Sequence, residues 1–202
     1  MPGVLSPNDE EALRLPETAG LIRRVRRGDE EAASELVAGC QGQVLRLCRY
    51  LMKSREDAED AAQEALLRFL RYLDRFDEHR PISPYLYRLT VNTCRELQRR
   101  ESARRKLVVD RKDGVEEETV VDTKANGEQI MEGNEQRALL RRALGALTRR
   151  QRTALVLRDL EGLSTREVAT IMGASAVTIR VHIAAARQRI RRFWREHEGG
   201  EH

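Results

Sequence analysis

The chain is short of cysteine, of aromatic residues and of long apolar runs, and the first and last of these shortages each remove a class of protein. Three cysteines, Cys40, Cys48 and Cys94, are spread over 202 residues. None stands in a Cys-x-x-Cys pair, and an odd number without a secretory leader argues against a disulfide framework. Cys40 and Cys48 lie in apolar helical patterns, which predicts buried thiols. No apolar run approaches the roughly 20 residues of a spanning helix. The N-terminal stretch is acidic and polar, unlike a signal peptide. A cytoplasmic protein without membrane insertion is therefore expected. No stretch reads as a strand, so the expected fold class is all-α. Of the eight aromatics, five (Phe69, Tyr72, Phe76, Tyr85 and Tyr87) crowd into residues 69–87.

Charge is what the chain has in quantity: 35% of residues, with Arg dominating the basic set. The net charge of +4 and pI near 9.2 hint at a polyanionic partner. The distribution says more. Residues 1–83 sum to −3, 84–106 to +5, 107–135 to −6 and 136–197 to +10. Two basic blocks around an acidic one suggest two nucleic-acid-facing modules and a spacer.

Periodicity and punctuation divide the chain accordingly. Residues 1–17, with Pro2, Pro7 and Pro16, read as a flexible leader. Helices are expected from Thr18 to Arg27, over about 30–52 after an Asp29 cap, and from Ser54 to Leu73. In the last of these, Ala58, Ala61, Ala62, Ala65, Leu66, Phe69 and Leu73 share one face. The opposite stripe is Asp57, Asp60, Glu64, Arg68, Arg71, with acids leading and bases following, as the helix dipole favours. That stripe suits either plain solvation or docking to a basic partner. A metal cluster of its three acids lacks further ligands. Pro81 and Pro84 predict a loop and then a helix from about Pro84 to Arg104. This helix carries Arg88, Asn92, Arg95, Arg99 and Arg100 beside Tyr85 and Tyr87, a combination that can stack on and bond to single-stranded bases. Residues 107–135 lack periodicity and read as an acidic linker.

The second basic block, 136–197, reads as a four-helix module, followed by a frayed tail at 198–202. Leu139, Leu140, Ala143, Leu144 and Leu147 form the first apolar face. Thr148 can cap a second helix through Leu160, with Gly162 as its stop. Ser164 to Glu167 is a capping box, and Gly173 suits a left-handed C-terminus. Ser175 can cap a final helix whose buried face is Ile179, Ile183, Ala186, Ile190 and Phe193. Two helices joined by a short glycine-containing turn, the second rich in Arg, form the pattern of a DNA-reading helix-turn-helix. An ordinary helical hairpin with a solvated basic face has the same outline.

Three stretches then converge on one family. Asp57-Ala58-Glu59-Asp60-Ala61-Ala62-Gln63-Glu64-Ala65 with Leu66-Leu67-Arg68-Phe69 resembles the acidic polymerase-binding helix of extracytoplasmic-function (ECF, group 4) sigma factors. Tyr85-Leu86-Tyr87-Arg88-Leu89-Thr90-Val91-Asn92 resembles the segment that handles the −10 promoter element. Leu157-Arg158-Asp159-Leu160-Glu161-Gly162-Leu163-Ser164 and the helices after it resemble the −35-reading domain. The resemblance covers about 18–106 and 136–195. It implies no catalytic residue and no cofactor or metal. It implies that Asp57, Asp60, Gln63 and Glu64 dock on the clamp helices of the largest subunit of core RNA polymerase. The loop from Arg75 to Ser83 would receive a flipped base, and Tyr85, Tyr87, Arg88, Asn92 and Arg95 would serve −10 melting and strand capture. Promoter DNA at −35 would meet Arg166, Ser175, Thr178, Arg180, Val181, His182, Ala184 and Arg187, with Arg166 and Arg187 nearer the phosphates. An anti-sigma partner is also implied. The chain departs from the family in having Tyr85 where Trp is usual, and Val181, His182, Ala184 and Ala185 where longer polar or larger residues are common. Few base-edge hydrogen bonds are then expected beyond Arg180, with a thymine-methyl contact open to Val181 or Ala184. The alternative class is a helix-turn-helix regulator with an N-terminal dimerisation or sensing bundle. A metal-dependent nucleic-acid enzyme would need ligands that the chain does not offer.

Overall fold

The computed structural model describes residues 15–108 and 133–198, with side chains over 18–104 and 139–196. The expectations for the first 14 residues, the linker over 109–132 and the tail from 199 onward lie outside the described residues. The chain divides into two compact units, Met1–Arg111 and Lys112–His202. Among the described residues every regular element is helical.

In the first unit, α1 spans Leu15–Arg26. It starts before the expected Thr18, because Pro16 falls in the first turn, where its missing N–H has no partner to lose. Gly28 takes φ +86°, and Asp29 Oδ1 accepts from Ala32 N at 3.0 Å to open α2, Glu30–Leu51. This helix runs through Gly39 and Gly42 because Ala32, Leu36, Cys40, Val44, Leu47 and Leu51 are all buried along one face. Packing of that face outweighs the roughly 1 kcal/mol each glycine costs.

Ser54 Oγ accepts from Asp57 N at 3.0 Å at the start of α3, Arg55–Arg71. Its buried residues are Ala58, Ala61, Ala62, Ala65 and Phe69. Small side chains there let its neighbours approach closely. A 3₁₀ turn, Leu73–Arg75, follows. Then α4 runs Ile82–Val108, starting two residues before Pro84. The first four helical N–H groups are unpaired in any helix, so Pro84 fits the first turn without breaking it. α2 packs on α1, α3 and α4, and α3 on α4. Ile22, Leu47, Phe69, Leu73 and Leu86 fill the centre. All three cysteines are buried. Cys48 and Cys94 lie 3.7 Å apart, Sγ to Sγ, across α2 and α4. Burial pushes the Cys40 thiol up to about 12, and the contact with Cys94 together with burial raises Cys48 further. Neither forms a reactive thiolate at neutral pH.

In the second unit, α5 spans Gly133–Gly145 and α6 spans Arg149–Leu155, closed by a wide π turn, Val156–Leu160. The wider turn lets the adjacent residues Val156 and Leu157 both be fully buried. Thr148 and Gln151 form a reciprocal capping box. Arg152 is 4% exposed. Its Nε donates to Leu144 O at 2.8 Å and its Nη2 to Gly145 O at 3.3 Å. A buried cation thus closes the C-terminal carbonyls of α5. α7, Thr165–Met172, opens on the Ser164–Glu167 capping box and ends at Gly173, φ +64°. α8, Ala176–Glu198, is capped by Ser175 Oγ, which accepts from Thr178 N at 3.1 Å. α8 packs on α5, α6 and α7, with Ile179, Ile183 and Ala186 buried.

Candidate nucleic-acid interface

The acidic face of α3 stands opposite its alanine face. At 100° per residue, Asp60, Gln63, Glu64, Leu67 and Arg71 share one stripe. Asp60, Gln63, Leu67 and Arg71 are exposed, whereas Asp57 and Glu64 are half-buried at its edge. Leu67 is 49% exposed, an apolar side chain in the middle of a polar stripe. The sequence reading left it out of the site. Its signal was that it falls outside the arc of Ala58, Ala61, Ala65 and Phe69. Glu64 does not stand alone: Arg68 Nε donates to Glu64 Oε1 at 2.6 Å and Arg68 Nη1 to Glu96 Oε2 at 2.6 Å. Glu96 also accepts from Arg100 at 2.6 Å. The bonds to Glu96 and Glu64 raise the pKa of Arg68, and Arg68 in turn lowers that of Glu96. This chain fixes α3 against α4 and holds Glu64 in place.

On α4, Arg88, Asn92, Arg95 and Arg99 form one straight exposed stripe. None of the four makes a hydrogen bond within the described residues. Tyr85 lies at the edge of this stripe, half-buried, its ring centroid 5.1 Å from Phe76 and 6.2 Å from Phe69. Burial raises its phenol pKa. Tyr87 corrects the sequence reading. It is 5% exposed, because it falls on the arc of α4 that carries Leu86, Thr90, Val91 and Cys94 into the core. It supports the stripe from within and is no open platform for a base.

The loop before α4 is braced from α1. Arg26 Nη2 donates to Leu73 O at 3.0 Å and also to Phe76 O, while its Nη1 donates to Glu78 Oε2 at 2.9 Å. Arg23 Nη1 reaches Glu78 Oε1 at 3.0 Å. Beyond this clasp, Arg80 N bonds to Asp77 O at 3.0 Å, making a turn that leaves Asp77, His79 and Arg80 exposed. Replacing Arg26 with Ala is expected to speed amide exchange at Phe76 and Arg80 about ten-fold or more, the worth of lost charge-assisted bonds. Exchange in the middle of α3 and α4 should stay as it was. Unchanged exchange in the loop would show that the clasp contributes nothing.

In the second unit, Val177, Val181, Ala184 and Gln188 line the exposed side of α8, directly opposite Ile179, Ile183 and Ala186. Val177 is 62% exposed and Val181 61%. Arg180 flanks this stripe, exposed and without a hydrogen bond in the described residues. His182 is half-buried on the far flank. Arg166 is exposed at the start of α7. Two expectations change. The Ser175 and Thr178 hydroxyls are turned on each other at 2.8 Å, as part of the cap. Arg187 is held by Asp159 through bonds of 2.7 and 3.0 Å, which raise its pKa. Ion pairing fixes its fork toward the protein, so it presents a partly neutralised charge.

A helical, two-unit DNA-binding protein with an exposed acidic helix face and two cationic surfaces is the class these features define. A family model described as Sigma-70 region 2 matches residues 36–104, and one described as Sigma-70, region 4 matches 137–190. The RNA polymerase sigma-H factor of Pseudomonas aeruginosa is 30% identical over 173 residues, covering 84% of this chain and 90% of that protein. The ECF RNA polymerase sigma-E factor of Escherichia coli is 32% identical over 174 residues, with coverage of 84% and 90%. Two solved structures share the fold. CnrH in complex with the cytosolic domain of CnrY has TM-score 0.63 and 21% identity, over 89% of this chain and 97% of that one. The sigma factor RpoE with the anti-sigma factor NepR from Bartonella quintana has TM-score 0.59 and 23% identity, over 80% and 96%. The chain belongs to the sigma-70 family, as an ECF sigma factor. It is an alternative sigma factor that directs RNA polymerase to promoters. The match of region 2 to the first half replaces the dimerisation or sensing bundle of the alternative reading.

Proposed function

We propose that residues 18–106 bind core RNA polymerase and the −10 element, that 107–135 link, and that 136–197 bind the −35 element, with no catalytic chemistry of the chain's own. α3 docks on the clamp helices of the largest polymerase subunit through Asp57, Asp60, Gln63 and Glu64, with Leu67 as an apolar anchor among them. An exposed leucine ringed by polar groups is what a small docking surface needs, since apolar anchors supply affinity and polar neighbours supply register.

The observation that carries the reading is the exposed stripe Arg88, Asn92, Arg95 and Arg99 on the helix next to α3. Four polar or cationic side chains that make no hydrogen bond within the described residues offer donors to phosphates and base edges. Tyr85, supported by Phe76 and Phe69, presents a ring edge beside them, and the braced 75–83 loop receives a flipped base. Tyr87 acts as the packing beneath this surface. In the second unit, Arg166 and Arg180 contact −35 DNA, and Arg187 adds a weaker field because Asp159 already accepts its bonds. Of the two structural relatives whose fold this chain shares, one was solved with the cytosolic domain of CnrY and the other with the anti-sigma factor NepR, and an anti-sigma partner is proposed here too.

The test is reconstituted transcription. The chain with core polymerase should initiate at specific start sites that core alone does not use. Arg88→Ala combined with Asn92→Ala should lower the yield of permanganate-reactive open complex roughly ten-fold or more, the worth of two lost bonds to a charged strand. Holoenzyme formation should not change. Wild-type open-complex yield in the double variant would remove the strand-capture role, and an absence of specific initiation would remove the promoter-opening reading as a whole.

A further inference from the structure

The side of α8 that points away from the core of its own unit is apolar where a DNA-reading helix is expected to be polar. Val177, Val181 and Ala184 follow each other at steps of four and three residues, so they form one line along the helix. Val177 and Val181 are 62% and 61% exposed, whereas Ile179 and Ile183 on the other side are buried. β-branched residues gain little from an exposed helix position, and none of the described residues covers these two. The surroundings state the charge of the occupant. From Ala176 to Arg195 the helix has no Asp or Glu, and it carries six arginines. Arg180 and Arg191, both exposed, flank the apolar line on one side. Glu167, the acid of α7, spends its carboxylate on Ser164 N at 2.8 Å. An apolar strip inside a cationic frame fits a polyanion with methyl groups in its groove.

The only major-groove base edge with a methyl group is thymine, through C5. The N-terminal part of the second helix of a helix-turn-helix is the part that meets base edges, and Val177 and Val181 lie in the first two turns of α8. We propose that Val177 and Val181 read thymine C5-methyl groups and so set a thymine requirement within the −35 element. The proposal rests on the assignment of −35 binding to α8. Four residues of helix rise cover about 6 Å, which is nearly two base steps of about 3.4 Å. The two thymines are therefore one or two base pairs apart, on the same strand or on opposite strands. Arg180, the donor beside the strip, reads a guanine or a phosphate independently of them. Ala184 is one turn farther along and too short to reach a base at the same depth.

The experiment needs no known promoter. Holoenzyme made with the full chain is used to select from two randomised duplex libraries, one synthesised with thymidine and one with deoxyuridine, which lacks only the methyl group. The thymidine pool should enrich thymine at two nearby positions. In the uracil pool that enrichment should fall, and binding of the selected site should drop roughly four-fold per methyl lost, the worth of one buried methyl-sized group. Positions read by Arg180 should enrich equally in both pools. Val177→Ala with Val181→Ala should bind the two forms of the selected site alike; alanine favours the helix, so folding is kept. Equal enrichment in both pools, with a −35 motif present, would overturn the methyl readout and leave −35 binding standing. No motif in either pool would instead overturn the −35 assignment itself.

Discussion

Replacing Asp60 with Arg is expected to lower affinity for core RNA polymerase by about 2–5 kcal/mol, roughly 30- to 5,000-fold, the usual effect of breaking a desolvated charge contact at an interface. Asp60 is exposed and makes no bond within the described residues, so the substitution leaves the fold intact to within about 0.5 kcal/mol. Glu64 is the poorer test, because its loss also releases Arg68 from one of its two carboxylates. Leu67→Asp should weaken binding as strongly, since a charge would replace the apolar anchor; Leu67→Ala should cost about 1–2 kcal/mol. Fluorescence anisotropy with labelled chain and purified core polymerase measures all three, and circular dichroism checks helicity. Unchanged affinity in Asp60→Arg and Leu67→Asp together would remove docking from this face of α3.

The second large effect is on stability. Arg152→Ala should destabilise the second unit by about 3 kcal/mol, because Gly145 O loses its bond from Arg152, Leu144 O keeps only its bond from Leu147 N at 3.1 Å, and the packing of the buried side chain is lost. Desolvation, with a smaller contribution from nearby Arg149, lowers the Arg152 pKa to about 10, still well above neutral pH, so it is a cation there and its bonds to the carbonyls are charge-assisted. Arg152→Met keeps most of the packing volume and should cost less, about 2 kcal/mol, through the lost charge-assisted bonds to the two carbonyls alone. The chain has one tryptophan, Trp194, and it lies on α8. Its fluorescence therefore follows urea unfolding of this unit without a signal from the first. A midpoint shift in Arg152→Ala no larger than that of an exposed-arginine control such as Arg191→Ala would show that the buried cation is not structural.

Helices, caps and stops were legible from local chemistry. Asp29, Ser54, Thr148, Ser164 and Ser175 all act as caps, and Gly28, Gly162 and Gly173 all take positive φ. Capping and left-handed turns involve residues three or four apart, so a linear reading contains them. The core face of α3 was equally plain, because a 3.6-residue period carries its own direction. The starts of α1 and α4 lie three and two residues before the expected Thr18 and Pro84, since the first turn has no N–H to lose and proline can stand inside it as well as at its first position.

The sequence by itself determined that the chain is helical, that its charge lies in two basic blocks, and that the second block ends in a helix-turn-helix. These follow from periods, caps and counts along one strand of residues. Only the tertiary structure decided which polar side chains are free to act. It buried Tyr87 and Arg152, tied Arg187 to Asp159 and Arg68 to Glu96, and clasped the loop before α4 with Arg23 and Arg26, all contacts between residues far apart in sequence or sensitive to where a helix faces. It left Leu67, Arg88, Asn92, Val177 and Val181 facing outward. Exposure depends on what the opposite element covers, and no local pattern records that.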